Sequence, residues 1–454
     1  MERVSPTVAL CATVVLVAGF VSPAAAQQAI PVRTLTNVVT TDSGTLRGVS
    51  GVRAQSDGHV IVMDGLRRRI VRLDSTLKHL SVLADTAAGA PTPYGQRFIS
   101  LLPYLADSTL VVDFDAQAFI VVDPSGKFGR VMAPPKASDI VRMGQSGSAF
   151  DAKGRLVYRS NRPQPPPQRP AESGKAVLTV APDSAPIMRA DFDSRTVDTV
   201  AMMHVPVTKF VTVSPAPNQT IRTSAFNPLP QTDEWTLLPD GTIAIVRGQD
   251  YHIDWLGMDG KMTSSPKMPF DWKRVTSEEK TALLDSLKKA DSTRRANAPP
   301  PSAVTFDGAG PPAVAAGRGG VGVAVERAVA AGGGTPGGPP PIDFSRIPFA
   351  TVDASDLPDY YPPIRAGQVK SDPEGNVWIL PSTSTLSQGN ILAGASGAST
   401  ALVYDVVNRR GTIVERVKLP AGRNLVGFGP GGVVFMSYAP AQGVIYLERG
   451  RIQR

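Results

Sequence analysis

The stretch SDGHVIVMDGLRRRIVRLD, residues 56–74, holds an Asp-Gly turn, an apolar run, a charged turn and a second apolar run ending on Asp74. Asp-Gly tolerates the backbone angles of a tight turn, so the stretch reads as a β-hairpin followed by another turn. The plan returns in ADSTLVVDFDAQAFIVVDPSG, residues 106–126, and in PDGTIAIVRGQDYHIDWLGMDG, residues 239–260. Looser copies are FDAKGRLVYRS with the later APIMRADFD, SDPEGNVWILP with ALVYDVVNRRGTIVERVKLP, and GPGGVVFMSY with GVIYLERGRIQ, making six. Turn residues are 50 apart from Asp57 to Asp107, 47 from Asp107 to Gly154 and 57 from Gly375 to Gly432. Such a period fits a four-stranded propeller blade, whose repeats run roughly 40–50 residues. Stacking these units around an axis buries both faces of each and leaves only short edges. The expected fold is all-β: a six-bladed β-propeller with one helical insertion and a low-complexity loop.

The blades are expected near residues 44–95, 96–140, 141–205, 225–272, 358–420 and 421–454. The sixth repeat is one strand short, and PVRTLTNVVTT, residues 31–41, belongs to no hairpin of its own. It is expected to close the ring, with Val32 to Val39 as the outermost strand beside the C-terminal strand around Ile445. Insertions explain the two longest intervals between turns. RPQPPPQRP, residues 162–170, breaks a sheet because proline cannot donate to a ladder. Residues 273–296 form a helical insertion, started by a capping box of Thr276 and Glu279, with Leu283, Leu284 and Leu287 on one face. Residues 297–341 are a Gly/Pro/Ala-rich tract expected to be disordered. Trp235, Trp255 and Trp378 fall on strand-like runs at repeat positions and are expected to pack between blades.

The runs SDPEGNVWIL and SDGHVIVMDGLRRRIVRLD resemble the repeats of the six-bladed NHL and TolB-like propellers, common among exported bacterial proteins. The resemblance spans most of residues 44–454 and implies architecture rather than activity, because propellers host hydrolases, lyases, binding modules and scaffolds alike. Among six-bladed propellers, calcium-dependent lactonases hold the metal with a Glu, two Asn and an Asp around the channel. The first blade here, LRGVSGVRAQSDG, has no Glu where that family has one, and Asn37, Asn376 and Asn424 stand in no recognisable ligand context.

The chain begins with Arg3, an apolar stretch from Val8 to Val21 and the run Ala24-Ala25-Ala26. Small residues there suit signal peptidase, so residues 1–26 read as a signal peptide cleaved after Ala26. The apolar stretch is shorter than the ~20 residues a spanning helix needs, so no membrane span is expected in the mature chain. The expected location is periplasmic or extracellular. Cys11, the only cysteine, lies within the signal, which leaves no disulfide and no cysteine zinc site downstream. A net charge of +8 raises nucleic-acid binding, but the charges are scattered and no basic stripe interleaves with aromatics. No nucleic-acid partner is expected, and the chain reads as a monomer.

Chemistry is sparse. GRGGVG, Gly317 to Gly322, matches the dinucleotide fingerprint in form but sits in a Gly-rich tract with no strand before it. The four histidines, His59, His79, His204 and His252, show no metal-ligand spacing, and His59 and His252 read as strand residues. No catalytic residue, cofactor site or metal site is assigned. DYYPPIR, Asp359 to Arg365, is the one segment with binding character, its prolines fixing two rings and a guanidinium in an extended run. Tyr360, Tyr361 and Arg365 are therefore the ligand-binding candidates. The leading expectation is a non-catalytic exported propeller that binds a protein or envelope polymer through one face. The alternative is a metal-dependent lactonase or esterase-like hydrolase, for which Ca2+ would be gathered around the central channel.

Overall fold

A computed structural model describes residues 30–85, 98–145, 147–166, 168, 176–216, 219–296, 315–316, 322–324, 349–386 and 401–453. The expected signal peptide with its expected cleavage after Ala26, and most of the tract 297–341, lie outside the described residues.

The fold is an all-β propeller. Among the described residues there are seven sheets, and six of them run in order along the chain as antiparallel meanders. The first takes strands Gly51–Ala54, Val60–Asp64, Arg69–Leu73 and Leu80–Asp85, from inside to outside. The second takes Phe98–Pro103, Thr109–Asp113, Ala118–Val122 and Phe128–Met132. The third takes Ala149–Phe150, Leu156–Arg159, Ser184–Asp191 and Thr196–His204, and the fourth Glu234–Leu237, Ile243–Arg247, His252–Leu256 and Met262–Ser264. The fifth takes Val369–Ser371, Val377–Ile379, Val403–Val407 and Ile413–Lys418. The sixth takes Arg423–Gly429, Val433–Ala441, Val444–Ile452 and, at its outer edge, Leu35–Thr40.

Burial follows from stacking. VIVMD and TLVVD, the second strands of the first two sheets, are buried at every position, because each of their faces meets a neighbouring sheet. The outer strand Leu80–Asp85 is half-buried, with Ser81 and Val82 exposed. Six apolar clusters each draw on two adjacent sheets. Ile61 and Ile70 meet Val111 between the first and second, and Phe119 meets Tyr158 between the second and third. Trp235 joins the third and fourth, Trp255 the fourth and fifth, and Trp378 the fifth and sixth. Phe435 and Leu447 of the last sheet pack on Val60 and Val71 of the first.

Four features differ from the expectations. Val32–Arg33 pairs in parallel with Ile413–Lys418 of the fifth sheet, where the Pro31 carbonyl accepts from the Arg416 N–H at 2.8 Å. Leu35–Thr40 alone pairs with the C-terminal strand, from Leu35 opposite Ile452 to Thr40 opposite Glu448, closer to the chain end than Ile445. Ile30 packs into the core between the fourth and fifth sheets, and this anchor fixes the segment's course across both edges. Second, Ala176–Ala181, Thr208–Ala216 and Gln219–Ser224 form an accessory sheet. Third, that sheet is extended by Gly322–Ala324 and Ala315–Ala316 from within the low-complexity tract, so GRGGVG is preceded by a two-residue strand and runs into another strand rather than a helix. Fourth, His59 sits in the turn just before Val60–Asp64 rather than in a strand.

Candidate binding end of the ring

Meander topology sorts the connections to two ends. The links from first to second strand and from third to fourth strand lie at one end, and all of them are short. There Asp carboxylates accept the N–H groups of their own turns: Asp151 from Lys153 and Arg155, each at 3.0 Å, and Asp372 from Asn376 at 2.8 Å. His79 is likewise tied to Asp74 at 2.8 Å and His59 faces Asp57, while at the other end His252 is tied to Asp250 at 2.6 Å and His204 faces Asp183. The Ser125 hydroxyl, then the Lys127 N–H, hold the Asp123 carboxyl below its ordinary range. At Asp74 burial works the other way, yet the bonds from His79, Thr76 and Lys78 win and the carboxyl is lowered.

The opposite end carries every long connection: residues 160–183 within the third sheet, 205–233 before the fourth, 265–368 before the fifth and 380–402 within the fifth. The accessory sheet and the helix Ser277–Ala296 belong to these connections. The helix starts on the Thr276–Glu279 capping box, with the Glu279 N–H donating to Thr276 Oγ1 at 3.2 Å and the Thr276 N–H to Glu279 Oε2 at 2.8 Å. Leu284 and Leu287 bury against Leu229, Val275, Val352 and Leu357. Lys280 Nζ locks the next segment by donating to the Leu357 carbonyl at 2.8 Å and pairing with Asp359 at 2.7 Å.

At the mouth of the axis on this end the innermost strands bring ionisable groups together. Glu234 opens the innermost strand of the fourth sheet, Lys370 lies on that of the fifth, and Arg159 ends the second strand of the third. Arg142 stands in the short helix Ile140–Met143 ahead of the third sheet. Arg159 Nη1 is 4.0 Å from Glu234 Oε1, and Arg142 Nη1 donates to Gln145 Oε1 at 3.0 Å. Burial pushes the Glu234 carboxyl up to about 7, against the Gly367 N–H and the charges of Arg159 and Lys370, and Asp233 adds to the rise. Burial lowers Lys370, against the pull of Glu234. Burial and then the repulsion of Arg159 lower Arg142.

The sequence-picked residues lie at this end but do not share one site. Tyr361 and Arg365 line a hollow with Leu229, Pro230, Pro362 and Ser382, about 200 Å3 of atom-free space that includes open solvent. Tyr361 also packs on the helix cluster. Burial alone lowers the Arg365 guanidinium. Tyr360 points elsewhere: it is 47% exposed and its ring stands edge-on to the 39% exposed Trp272, centroids 6.2 Å apart. Phe270 and the buried Tyr251 continue that aromatic chain into the core. Sequence reading did not single out Arg142, Arg159, Glu234 or Lys370. For Glu234 and Arg159 the available signal was a charged residue at the opening or closing position of an otherwise apolar strand, whereas Lys370, in the middle of Val369–Ser371, and Arg142, in a short helix, gave none. Among the described residues no group of three His, Cys, Asp or Glu is placed to hold a metal ion, and no helix is long and apolar enough to cross a membrane.

No protein-family model matches the chain, and no curated protein matches it. Among solved structures it is similar to a member of the DUF4221 family from Bacteroides vulgatus, at 8% identity and a TM-score of 0.43, covering 93% of this chain and 98% of that one. A catalytically inactive virginiamycin B lyase from Staphylococcus aureus, with quinupristin, is similar at 10% identity and a TM-score of 0.35, covering 91% and 98%. A gluconolactonase from Xanthomonas campestris is similar at 11% identity and a TM-score of 0.23, covering 50% and 80%. Likeness at this level carries no functional argument, and the propeller rests on its own sheets and cores.

Proposed function

We propose that this chain is an exported six-bladed propeller that binds a polymer of the cell envelope, as a monomer and without catalysis of its own, through the end of the ring that carries the insertions. Six blades are supported by the six inter-sheet cores, the last of which joins the final sheet to the first. Export is supported by the apolar stretch and the Ala24-Ala25-Ala26 run. The observation that carries the binding role is the asymmetry of the ring. One end is closed by short self-bonded turns, and the other bears an accessory sheet, a helix and the exposed Trp272–Tyr360 pair. Exposed rings with polar rims are how a rigid scaffold grips an extended ligand.

The alternative, a metal-dependent lactonase or esterase, calls for acidic and amide ligands around the axis. The described mouth instead gathers Arg142, Arg159 and Lys370, which favours an anion over a cation there. The test is retention of the purified chain on an insoluble acidic envelope glycan, compared with a Trp272→Ala/Tyr360→Ala variant. Loss of retention in the variant, by about tenfold or more, is expected for stacked rings. Equal retention, or heat on calorimetric titration with calcium together with lactone hydrolysis, overturns the reading.

A further inference from the structure

Charges at the axial mouth do not balance. Arg159 faces Glu234 at 4.0 Å, and Lys370 draws on the same carboxylate. The other acids nearby are already committed. Asp139 accepts from the Tyr158 hydroxyl at 2.8 Å and the Ser160 hydroxyl at 3.1 Å, with Lys136 at 3.4 Å. Asp233 pairs with Arg247 at 2.6 Å and accepts from the His204 and Gly248 N–H groups. Arg162, close enough to add to the repulsion, is held by the carbonyls of Pro182 and Pro206 and by the Thr208 hydroxyl. Among the described residues the Arg142 guanidinium hydrogen-bonds the neutral Gln145 amide, with the Asp139 charge nearby. Arg159 and Lys370 thus share Glu234, and the carboxylate beside Arg142, Asp139, is already paired with Lys136, whereas desolvated charges in a folded protein are normally paired one to one.

We propose that the mouth between Arg142, Arg159 and Lys370 is a receptor for a single carboxylate or phosphate group carried by the ligand. The guanidiniums supply paired N–H donors suited to either oxyanion, and Lys370 supplies a point charge. Glu234 opposes the incoming anion when ionised and ceases to do so when protonated. Arg159 and Lys370 face it from neighbouring sheets, with Asp233 and the Gly367 N–H beside it. The receptor therefore strengthens as pH falls through 7. The inference takes its location from the proposed binding end, but it does not need the Trp272–Tyr360 pair.

Calorimetric titration of the full mature chain with inorganic phosphate, and separately with trigalacturonate, tests it. Saturable 1:1 binding of at least one probe, weakened by salt, is expected, and the probe that binds identifies the oxyanion. Arg142→Gln and Arg159→Gln should each weaken binding about tenfold or more, while the exposed control Lys288→Gln leaves it unchanged. Because Arg159→Gln leaves Glu234 without its nearest cation, Glu234→Gln provides an independent arm. Relative to the unchanged chain at the same pH, it should tighten binding a few-fold at pH 8 and by less at pH 6, a comparison that cancels the phosphate's own ionisation and that a purely structural role for Glu234 would not produce. Binding of neither probe, or binding unaffected by Arg142→Gln and Glu234→Gln, overturns the inference. If glycan retention still depends on Trp272 and Tyr360 while neither probe binds, the receptor fails alone. If a probe binds at the mouth and retention is absent, the polymer-binding reading fails alone.

Discussion

The two ends of the ring differ in the length of their connections. At one, each connection is a few residues long, and an aspartate satisfies its own turn, as Asp151 and Asp372 do. At the other, connections run to tens of residues, and their side chains answer to distant partners: Lys280 to Asp359, Arg162 to Pro206, Glu234 to Arg159. Where side chains at the first end reach further, they pair with turn groups of the same rim, as Asp107 does with Arg53 and Asp240 with Arg409, so its charges are neutralised within the fold. At the second end Arg159 and Lys370 are left around one carboxylate, Glu234, and such charge left over by the fold is the usual condition of a binding surface.

The largest expected effect tests what both ends share. Trp378 is fully buried between the fifth and sixth sheets, against Tyr404 and Phe428, and its indole N–H donates to Asp372 Oδ2 at 2.9 Å. Trp378→Ala should cost about 3–5 kcal/mol in urea unfolding and weaken the ring as a whole. A loss confined to one end, with the remainder unfolding as before, would show that the sheets do not act as one unit.

Acid separates the ends. Glu234 is raised to about 7 from its ordinary 4.5, so between those values the folded state binds more protons than the unfolded chain. Stability from this group is greatest below pH 4.5 and declines as pH rises to about 7, by up to about 3 kcal/mol. Turn aspartates such as Asp74 and Asp123 are lowered, so their contribution holds above the ordinary carboxylate range and is lost as pH falls below it. Chemical denaturation from pH 8 to 3 should show stability rising and then falling. Glu234→Gln should remove the rise and leave the fall.

A smaller effect belongs to the helix. Thr276→Ala removes one half of the capping box and should cost about 1 kcal/mol, read as faster amide exchange in residues 277–283 with little change in the six sheets. The smallest effect on stability is expected where the largest effect on binding is proposed. Trp272→Ala and Tyr360→Ala, both at exposed rings, should move stability by no more than about 0.5 kcal/mol.

Much of the first end was legible in sequence, because each of its turns is a local event. Asp57-Gly58 and Asp240-Gly241 specify their turns with Gly58 at φ 88° and Gly241 at φ 84°, angles that a residue with a Cβ rarely adopts. The helix was legible for the same reason, Thr276 and Glu279 lying three residues apart. The accessory sheet was not. Ala176–Ala181 pairs with Thr208–Ala216 across a full hairpin of the third sheet, and no local pattern announces that partner. DYYPPIR was read as one binding segment, yet packing sends Tyr361 to the helix cluster and Tyr360 outward to Trp272.

By itself, then, the sequence determined the repeat, its turns, the capped helix and the apolar strands that pack the sheets, all set by residues within a few positions of one another. Tertiary structure alone decided that Arg142, Arg159, Glu234 and Lys370 meet at one mouth. They come from a short helix and three sheets, spread over 228 residues from Arg142 to Lys370, and only the stacking of those sheets brings their charges within reach of one another and away from water.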